Sequence, residues 1–570
     1  MVNGKSGTRR AFDPAGRMGI AAFVVVVGFA FLFIRLGYIQ LGQYGGQLDR
    51  YSDRHWSSMY IQHQRGLILD RAGRVMSASV EGRSLYAHPQ KIKDRNRLAV
   101  LLTRLGILSL EESMERLSAP KPFVWLAHGI DIQQWNGIKK EFSGIEGVEA
   151  MPEWRRRYPL DKVGANVIGF VGSDGRGLAG VEFMLDQELA GDIESLHVEI
   201  GDHGLPVILD SQGHENPVFR GRDVQLTLDA YVQESVDHVL AETVDACEAK
   251  GGSIVVLNPR TGEIIAMGSE PSFDPNNFSD FPPAQYKNQA INTVFEPGST
   301  FKIVTLAALA TDRRTALSEN VICNGSISIP GVPKPIHCYA SHGPVTFREA
   351  IEASCNVGVI HAALELEPEQ FYRMVQSFGF GIPTGVGLPG EEKGILRKPY
   401  QWSGSTRAVM AIGQEIAVTN LQMAMAMSVI ANGGDLIKPQ IVLKPPLKPQ
   451  IVRNVIRPEI AAIARDFLLS VVEGDMGTGK KAKVAGVRVG GKTGTAQIAD
   501  PRGGYAPDRF LSSFIGFLPA ESPQLVISVW IHEPNPAIAH FGGDVAAPAF
   551  AKIAASAMKF LNIPTAAANP

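Results

Sequence analysis

Three short stretches place reactive side chains at spacings that could support chemistry. The first, FEPGSTFK at residues 295–302, sets Ser299 three residues ahead of Lys302. The breaker pair Pro297 and Gly298, followed by an apolar run, predicts a helix start with Ser299 at its N-terminus and Lys302 one turn on, on the same face. The helix dipole and free backbone N–H groups would favour developing negative charge, and a neutral amine could take the serine proton. A Ser-x-x-Lys match arises by chance about once in a chain this long. Alone, the stretch describes a capping serine beside a solvated lysine at least as well.

The second stretch is ASCN at residues 353–356. Thr346 and Glu349 have capping-box spacing, which predicts a helix from there to about Ala353. Ser354, Cys355 and Asn356 then fall at the break before another helical run. A hydroxyl and an amide on such a loop can point together into a cleft. Ser354 could relay a proton between Lys302 and a leaving amine, and Asn356 could hold a substrate amide. By itself this is an ordinary capping loop.

The third, GVRVGGKTGTA at residues 486–496, satisfies two patterns. Gly486, Gly491, Lys492 and Thr493 match the phosphate-cradling form G-x-x-x-x-G-K-[ST]. A phosphate loop must follow a strand and open a helix. Here Gly494 comes at once, and Pro501, Gly503 and Gly504 follow with no helical periodicity. Residues 487–498 read better as one extended strand, with glycines where a ligand backbone approaches. Lys492 and Gly494 would face one way, Thr493 and Thr495 the other. Lys492 and the hydroxyls suit a carboxylate; the strand's N–H groups suit an extended peptide and its oxyanion.

The elements that must position these groups are legible in outline. An amphipathic helix over residues 230–249 precedes a strand at 253–257, a turn at 258–263 and a return strand at 264–267. These open a domain running to about residue 560, with a Pro-rich surface excursion at 444–450. Residues 41–225 are mixed in composition and lack long periodic helices. Within them LILDRAGRVM reads as a hairpin turning at residues 70–73, and the clusters RRRYP and GLAGVEF stand out without evident chemistry.

Length and charge bound the rest. A chain of 570 residues allows two or three domains. Its net charge of -2 gives no electrostatic case for nucleic-acid binding. Residues 18–34 carry no charge, and the apolar character continues past Arg35; a spanning helix needs roughly 20 such residues. Lys5, Arg9, Arg10 and Arg17 precede the run, which predicts a cytoplasmic N-terminus and export of everything after about residue 41. No small-x-small site follows, so an uncleaved anchor is expected. An exported domain would meet little ATP or GTP. The four cysteines do not make a disulfide scaffold. Cys323 and Cys338 are either a pair in an oxidising compartment or two free thiols. Cys247 reads as a buried helix residue.

Ser-x-x-Lys, Ser-x-Asn and Lys-Thr-Gly in this order are shared by penicillin-binding proteins and serine β-lactamases. The middle box here is Ser-Cys-Asn, not Ser-Asp-Asn, and keeps both functional side chains. Together with RGLILDRAGRVMS, RRRYP, NPRTGEIIAM, IGQEIAVTNLQMAMAMSVIANGG, GTGKKA and FGGDVAAPAF, these boxes make the whole chain resemble a class B penicillin-binding protein, most like the division-specific septal branch. The resemblance implies an α+β protein with a single N-terminal transmembrane helix, a mixed α/β pedestal and a C-terminal transpeptidase domain. The last would have a serine β-lactamase-like central antiparallel sheet flanked by helices. The expected boundaries are a cytoplasmic tail at 1–17, an anchor at 18–40, a pedestal of the dimerisation type at 41–225, the transpeptidase at 226–560 and a tail at 561–570.

The implied activity is peptidoglycan D,D-transpeptidation. Ser299 would attack the D-Ala-D-Ala carbonyl of a stem peptide, Lys302 would act as general base, and Ser354 would relay the proton to the departing D-alanine. Asn356, Lys492, Thr493, Gly494 and Thr495 would bind substrate, and the N–H groups of Ser299 and Thr495 would form the oxyanion hole. An amine from a neighbouring strand would resolve the acyl-enzyme, and β-lactams would acylate the same serine. No metal or organic cofactor, nucleotide or nucleic acid is implied. Implied partners are an FtsW-type glycosyltransferase and other divisome proteins, with the catalytic domain outside a bacterial cytoplasmic membrane. Arg35 is a candidate contact or simply a snorkelling charge. Gly413, Gln414 and Glu415 match a family box with no role assigned. The rivals are an elongation-type transpeptidase, a D,D-carboxypeptidase or β-lactam hydrolase, and a non-enzymatic penicillin sensor or scaffold.

Overall fold

Strands that are apolar at every position, rather than at alternate ones, must be covered on both faces. The central sheet, two of whose inner strands are buried along their whole length, is built around this requirement. Its strands are β1 (Gly251–Leu257), β2 (Ile264–Glu270), β3 (Gly490–Ala499), β4 (Tyr505–Leu518) and β5 (Leu525–His532), and they lie in the order β2-β1-β5-β4-β3, every pair antiparallel. This computed structural model describes residues 14–37, 56–57, 64–190, 198–200, 206–207, 220–332, 334–443, 448–500 and 502–564. Residues 1–13 and 565–570 of the expected tails and residues 444–447 of the Pro-rich excursion lie outside them.

The helices of the catalytic part include α1 (Ala230–Ala246), α2 (Lys302–Asp312), α3 (Phe347–Glu352), α4 (Asn356–Ala363), α5 (Asn420–Asn432), α6 (Pro458–Glu473) and α7 (Gly542–Phe560). Side chains alternate across each strand. Ile254 and Val256 of β1 and Ile527 and Val529 of β5 meet Val232, Val236 and Leu240 of α1 and Val545 and Phe550 of α7. Their neighbours Val255, Leu257 and Val526 face the other core, shared with α2 and α5. Helix α5 is buried from Asn420 to Ala431, as its unbroken apolar run requires. A capping box of Thr419 and Gln422 starts it, and Asn420 Nδ2 donates to the carbonyl and hydroxyl of Ser253, both at 3.0 Å, pinning helix to sheet.

Sequence expectations hold with small shifts. The helix expected at 230–249 ends at Ala246. The strand expected at 487–498 begins only at Gly490, because Val484 and Val487 bridge across a turn in which Gly486 takes φ +73°.

In the pedestal part, Val75–Ala87 pairs with Ile68–Leu69, Val124–Asp131 and Val148–Arg157, and Ile68–Leu69 runs parallel to Val224–Gln225. The expected hairpin turn is present: the Asp70 carboxylate accepts from the N–H groups of Ala72 and Arg74, both at 2.8 Å, and Gly73 takes φ +83°. The same turn docks the pedestal on the catalytic part. Asp70 accepts from the N–H of Ala230 at 3.1 Å, and Arg74 reaches the Asp229 carboxylate at 3.0 Å. The sequence clusters without evident chemistry converge here. Arg65 and Arg156 enclose the fully buried Glu182 at 2.9 and 2.7 Å, and Ser77 donates to it at 3.1 Å. They are an internal charge clamp.

The chain divides into two compact units, Gln62–Asp192 with Arg220–Pro570 as described above, and Met1–Ile61 with Ile193–Phe219. The second contains the helix Pro14–Gly37 and a small sheet of Trp56–Ser57, Val198–Ile200 and Pro206–Val207. The expected anchor falls on this helix as far as Gly37 and lies outside the described residues beyond it. Among the described residues no helix is long and apolar enough to cross a membrane.

Candidate active site

The nucleophile box begins as a single 3₁₀ turn, Gly298–Phe301, that runs into α2. In a 3₁₀ turn side chains at i and i+3 eclipse, which aligns Ser299 with Lys302 more closely than an α-helix would. Two glycines make the turn possible. Gly298 has φ +54°, and its N–H donates to the carbonyl of Gly413 at 3.0 Å. A Cβ on Gly413 would lie 2.1 Å from the Gly298 oxygen. The box at residues 413–415, left without a role by the sequence, is thus the backing of the serine turn.

Lys302 is fully buried while Ser299 is half-buried. The Lys302 ammonium donates to the Ser354 carbonyl at 2.7 Å, to Asn356 Oδ1 at 2.9 Å and to Ser354 Oγ at 3.3 Å. Burial pushes its pKa down to about 8, against the opposing influence of the thiols of Cys338 and Cys355. Both protonation states are therefore accessible near neutral pH, as a general base requires.

Helices α3 and α4 hold the second box at the expected place. The Thr346–Glu349 capping box starts α3, Ala353 caps it, and Cys355 is the N-cap of α4. Between them Ser354 takes φ +56°, a conformation costly for a residue with a Cβ and frequent where function constrains the backbone. Asn356 opens α4 and uses both ends of its amide inside the protein, on Lys302 and, through Nδ2 at 3.0 Å, on the His337 carbonyl. The residue expected to hold a substrate amide here holds Lys302.

The third box lies on β3, the edge strand of the sheet. Strand pairing with β4 continues straight through Lys492 and Thr493, so no helix opens and the phosphate-loop pattern is coincidental. Lys492 is fully buried, with Nζ 3.1 Å from the Thr493 carbonyl and 3.4 Å from its hydroxyl. Burial, and then the charge on Lys302, hold its pKa well below the ordinary lysine value. The Thr493 hydroxyl shares a 2.6 Å hydrogen bond with Thr478, a residue the sequence did not single out. Thr495 Oγ1 accepts from the N–H of Gly542 at 3.0 Å, at the start of α7. Gly494 is required by the protein's own packing: a Cβ there would lie 2.3 Å from Ser513 Oγ and 2.9 Å from Thr300.

A buried amine of lowered pKa behind a serine, with two threonine hydroxyls and a second amine along an open strand edge, can acylate its serine from a carboxylate-bearing peptide. Residues 252–555 match the penicillin binding protein transpeptidase domain, and residues 60–226 the penicillin-binding protein dimerisation domain. The chain belongs to the class B penicillin-binding proteins. It is 33% identical over 535 residues to the probable peptidoglycan D,D-transpeptidase PbpC of Pseudomonas aeruginosa, covering 93% of this chain and 92% of that one. It is 30% identical to peptidoglycan D,D-transpeptidase FtsI of Escherichia coli, covering 96% and 92%. To stage V sporulation protein D of Bacillus subtilis it is 32% identical, covering 94% and 84%. Penicillin-binding protein 3 of Mycobacterium tuberculosis, solved with aztreonam, superposes with a TM-score of 0.66 at 29% identity, covering 88% of this chain and 97% of that one. The expected two-part architecture, transpeptidase plus mixed α/β N-terminal domain, is that of this family.

Proposed function

We propose that this class B penicillin-binding protein cross-links peptidoglycan at the division septum, with Ser299 as nucleophile and Lys302 as its general base. Peptidoglycan D,D-transpeptidation and β-lactam binding follow from the family; the residue roles, septal site and topology are the proposal. The observation that carries it is Lys302: a buried amine of pKa about 8, fixed by Ser354 and Asn356 one 3₁₀ turn from Ser299. Neutral Lys302 takes the Ser299 proton as Oγ attacks the D-Ala-D-Ala carbonyl. Ser354 relays that proton to the departing D-alanine nitrogen, and the peptide bond is replaced by an ester. An amine of a neighbouring stem peptide then attacks the ester and restores Ser299. Lys492, Thr493 and Thr495 receive the terminal carboxylate, Asn356 and Gly494 complete the cleft, and the N–H groups of Ser299 and Thr495 receive the oxyanion.

The charge-free run at residues 18–34, whose Phe23, Phe33 and Ile34 side chains are exposed on their helix, supports a single-pass anchor with the catalytic domain outside the cytoplasmic membrane. The similarity to FtsI supports the septal role and an FtsW-type glycosyltransferase with other divisome proteins as partners. The test is labelling of membranes with a fluorescent penicillin. The native protein gives a stable covalent band, Ser299→Ala none, and Lys302→Ala a trace. A native protein that never labels refutes the active-site assignment, and a band that fades within minutes identifies a hydrolase. Depletion in cells tests the septal role: filaments support it, and round cells indicate elongation.

A further inference from the structure

Three cysteines and a histidine spread over residues 323–355 meet beside the second catalytic box. Cys323 ends the strand Asn320–Cys323, Cys338 follows Ile336–His337, His342 precedes Gly343–Thr346, and Cys355 stands between Ser354 and Asn356. The three sulfurs and a ring nitrogen of His342 all lie within 4.8 Å of one another. All four cysteines of the chain are free thiols, so the pairing considered for Cys323 and Cys338 is absent.

The spacing has a definite meaning. His342 Nδ1 lies 3.5 Å from the sulfurs of both Cys323 and Cys338. Two ligands of a tetrahedral zinc, with Zn–S and Zn–N bonds of about 2.3 and 2.05 Å, stand about 3.6 Å apart. Hydrogen bonding explains the cluster poorly. The other ring nitrogen of His342 is buried without a partner, and although Cys323 also donates to the Ala340 carbonyl at 3.7 Å, the thiols of Cys338 and Cys355 are left with the one imidazole acceptor between them. A disulfide would use two sulfurs and strand the third with the imidazole. Three thiolates and one imidazole are a closed structural zinc set. Backbone N–H groups already point at two of the sulfurs, from Asn356 to Cys338 at 3.3 Å and from Gly358 to Cys355 at 3.4 Å, as expected around metal-bound thiolates.

We infer that Cys323, Cys338, His342 and Cys355 bind one zinc ion, which ties three loop ends to the turn carrying Ser354 and Asn356 and so positions both on Lys302. Ser354 holds a left-handed backbone conformation, and Asn356 is the acceptor that fixes the base; the ligand between them is Cys355. The metal acts through the loop and touches no reacting atom. This positioning role rests on the transpeptidase reading, while zinc binding does not.

The full-length protein, purified in detergent under reducing conditions without chelator, is assayed for metal by mass spectrometry and by X-ray absorption at the zinc edge. The expected result is about one zinc per chain with three sulfur and one nitrogen ligands. Cys323→Ser and His342→Ala lose it, whereas Ser299→Ala keeps it and loses only penicillin labelling. Because a ligand variant can fail to fold, zinc is also withdrawn from the native protein with a high-affinity chelator and then restored. Removal is expected to lower the melting temperature and slow penicillin acylation by about tenfold or more, both recovered on adding zinc chloride. A folded native protein that takes up no zinc, or one with a Cys323–Cys338 disulfide, overturns the site. Zinc that comes and goes without changing acylation overturns the positioning role. If zinc behaves as expected but nothing labels, it is the transpeptidase reading that has failed.

Discussion

Replacing Asn356 by Asp tests whether the second box sets the basicity of Lys302. The wild-type amide oxygen lies 2.9 Å from Nζ, and a carboxylate in its place puts a full negative charge on the ammonium in a buried site. An opposite charge at such a distance raises a pKa by about 1 to 3 units. From about 8, Lys302 would move to 9 or higher. At pH 7 the neutral fraction is about a tenth in the native protein, so acylation should fall between about tenfold and a thousandfold, partly offset by the stronger base. The sign matters more than the size. Below its pKa Lys302 is charged and cannot accept a proton, so the acylation rate rises with pH through about 8 in the native protein. In Asn356→Asp that rise moves to higher pH. In Asn356→Ala, which removes an acceptor for the charged form, it moves to lower pH. The assay is the second-order rate of fluorescent penicillin acylation from pH 5.5 to 10, with melting temperatures confirming that each variant is folded. Two profiles lowered in amplitude but unmoved in position would refute the reasoning, and Asn356 would then serve packing alone.

In Glu182→Gln, two buried guanidinium groups face each other without the carboxylate between them. The loss should be about 3 to 5 kcal/mol, seen as a fall in melting temperature of roughly 3 to 5 °C, and a change under about 1 °C would contradict the clamp. Gly413→Ala adds a Cβ 2.1 Å from the Gly298 oxygen at a residue with φ +82° and should slow acylation more than tenfold; a rate within twofold of native would show that the serine turn needs no such backing. Carboxylate binding should draw a proton onto Lys492, whose pKa is held low in the free enzyme. Calorimetry of a β-lactam binding to Ser299→Ala at pH 8 should then give a heat that depends on the buffer's ionisation enthalpy, and Lys492→Met should abolish that dependence.

What the sequence discloses and what it hides follow from how local each signal is. The helix start at Thr346, the break at Ser354 and the turn at Asp70 depend on residues within four positions of one another, and each stands where expected. The strand character of residues 490–499 was readable because Gly494, two residues after the lysine, and the later Pro501, Gly503 and Gly504 deny a helix. The contact between Gly298 and Gly413, the Thr478–Thr493 pair and the clamp around Glu182 join segments that only the folded chain brings together. The cysteine–histidine cluster is the extreme case. Only Cys338 and His342 are close in sequence; Cys323 ends a strand before them and Cys355 caps a helix after them, so counting cysteines alone could not assemble it.

The two buried lysines explain why the catalytic boxes must arrive together. Each amine, taken from water alone, would carry a desolvation cost that favours its neutral form. For Lys302, whose proposed task is to receive a proton, burial lowers the pKa to about 8, and the neighbouring Cys338 and Cys355 oppose that shift. Burial holds the pKa of Lys492 well below the ordinary lysine value, and the charge on Lys302 adds to that bias. A substrate carboxylate reverses the balance at Lys492 by supplying the missing counter-charge, while a stem peptide without one would leave Lys492 unpaired. In the proposed mechanism, acylation by Ser299 would thereby be tied to the terminal carboxylate through the electrostatics of the two buried lysines. The same cleft admits a β-lactam because its carboxylate meets that requirement.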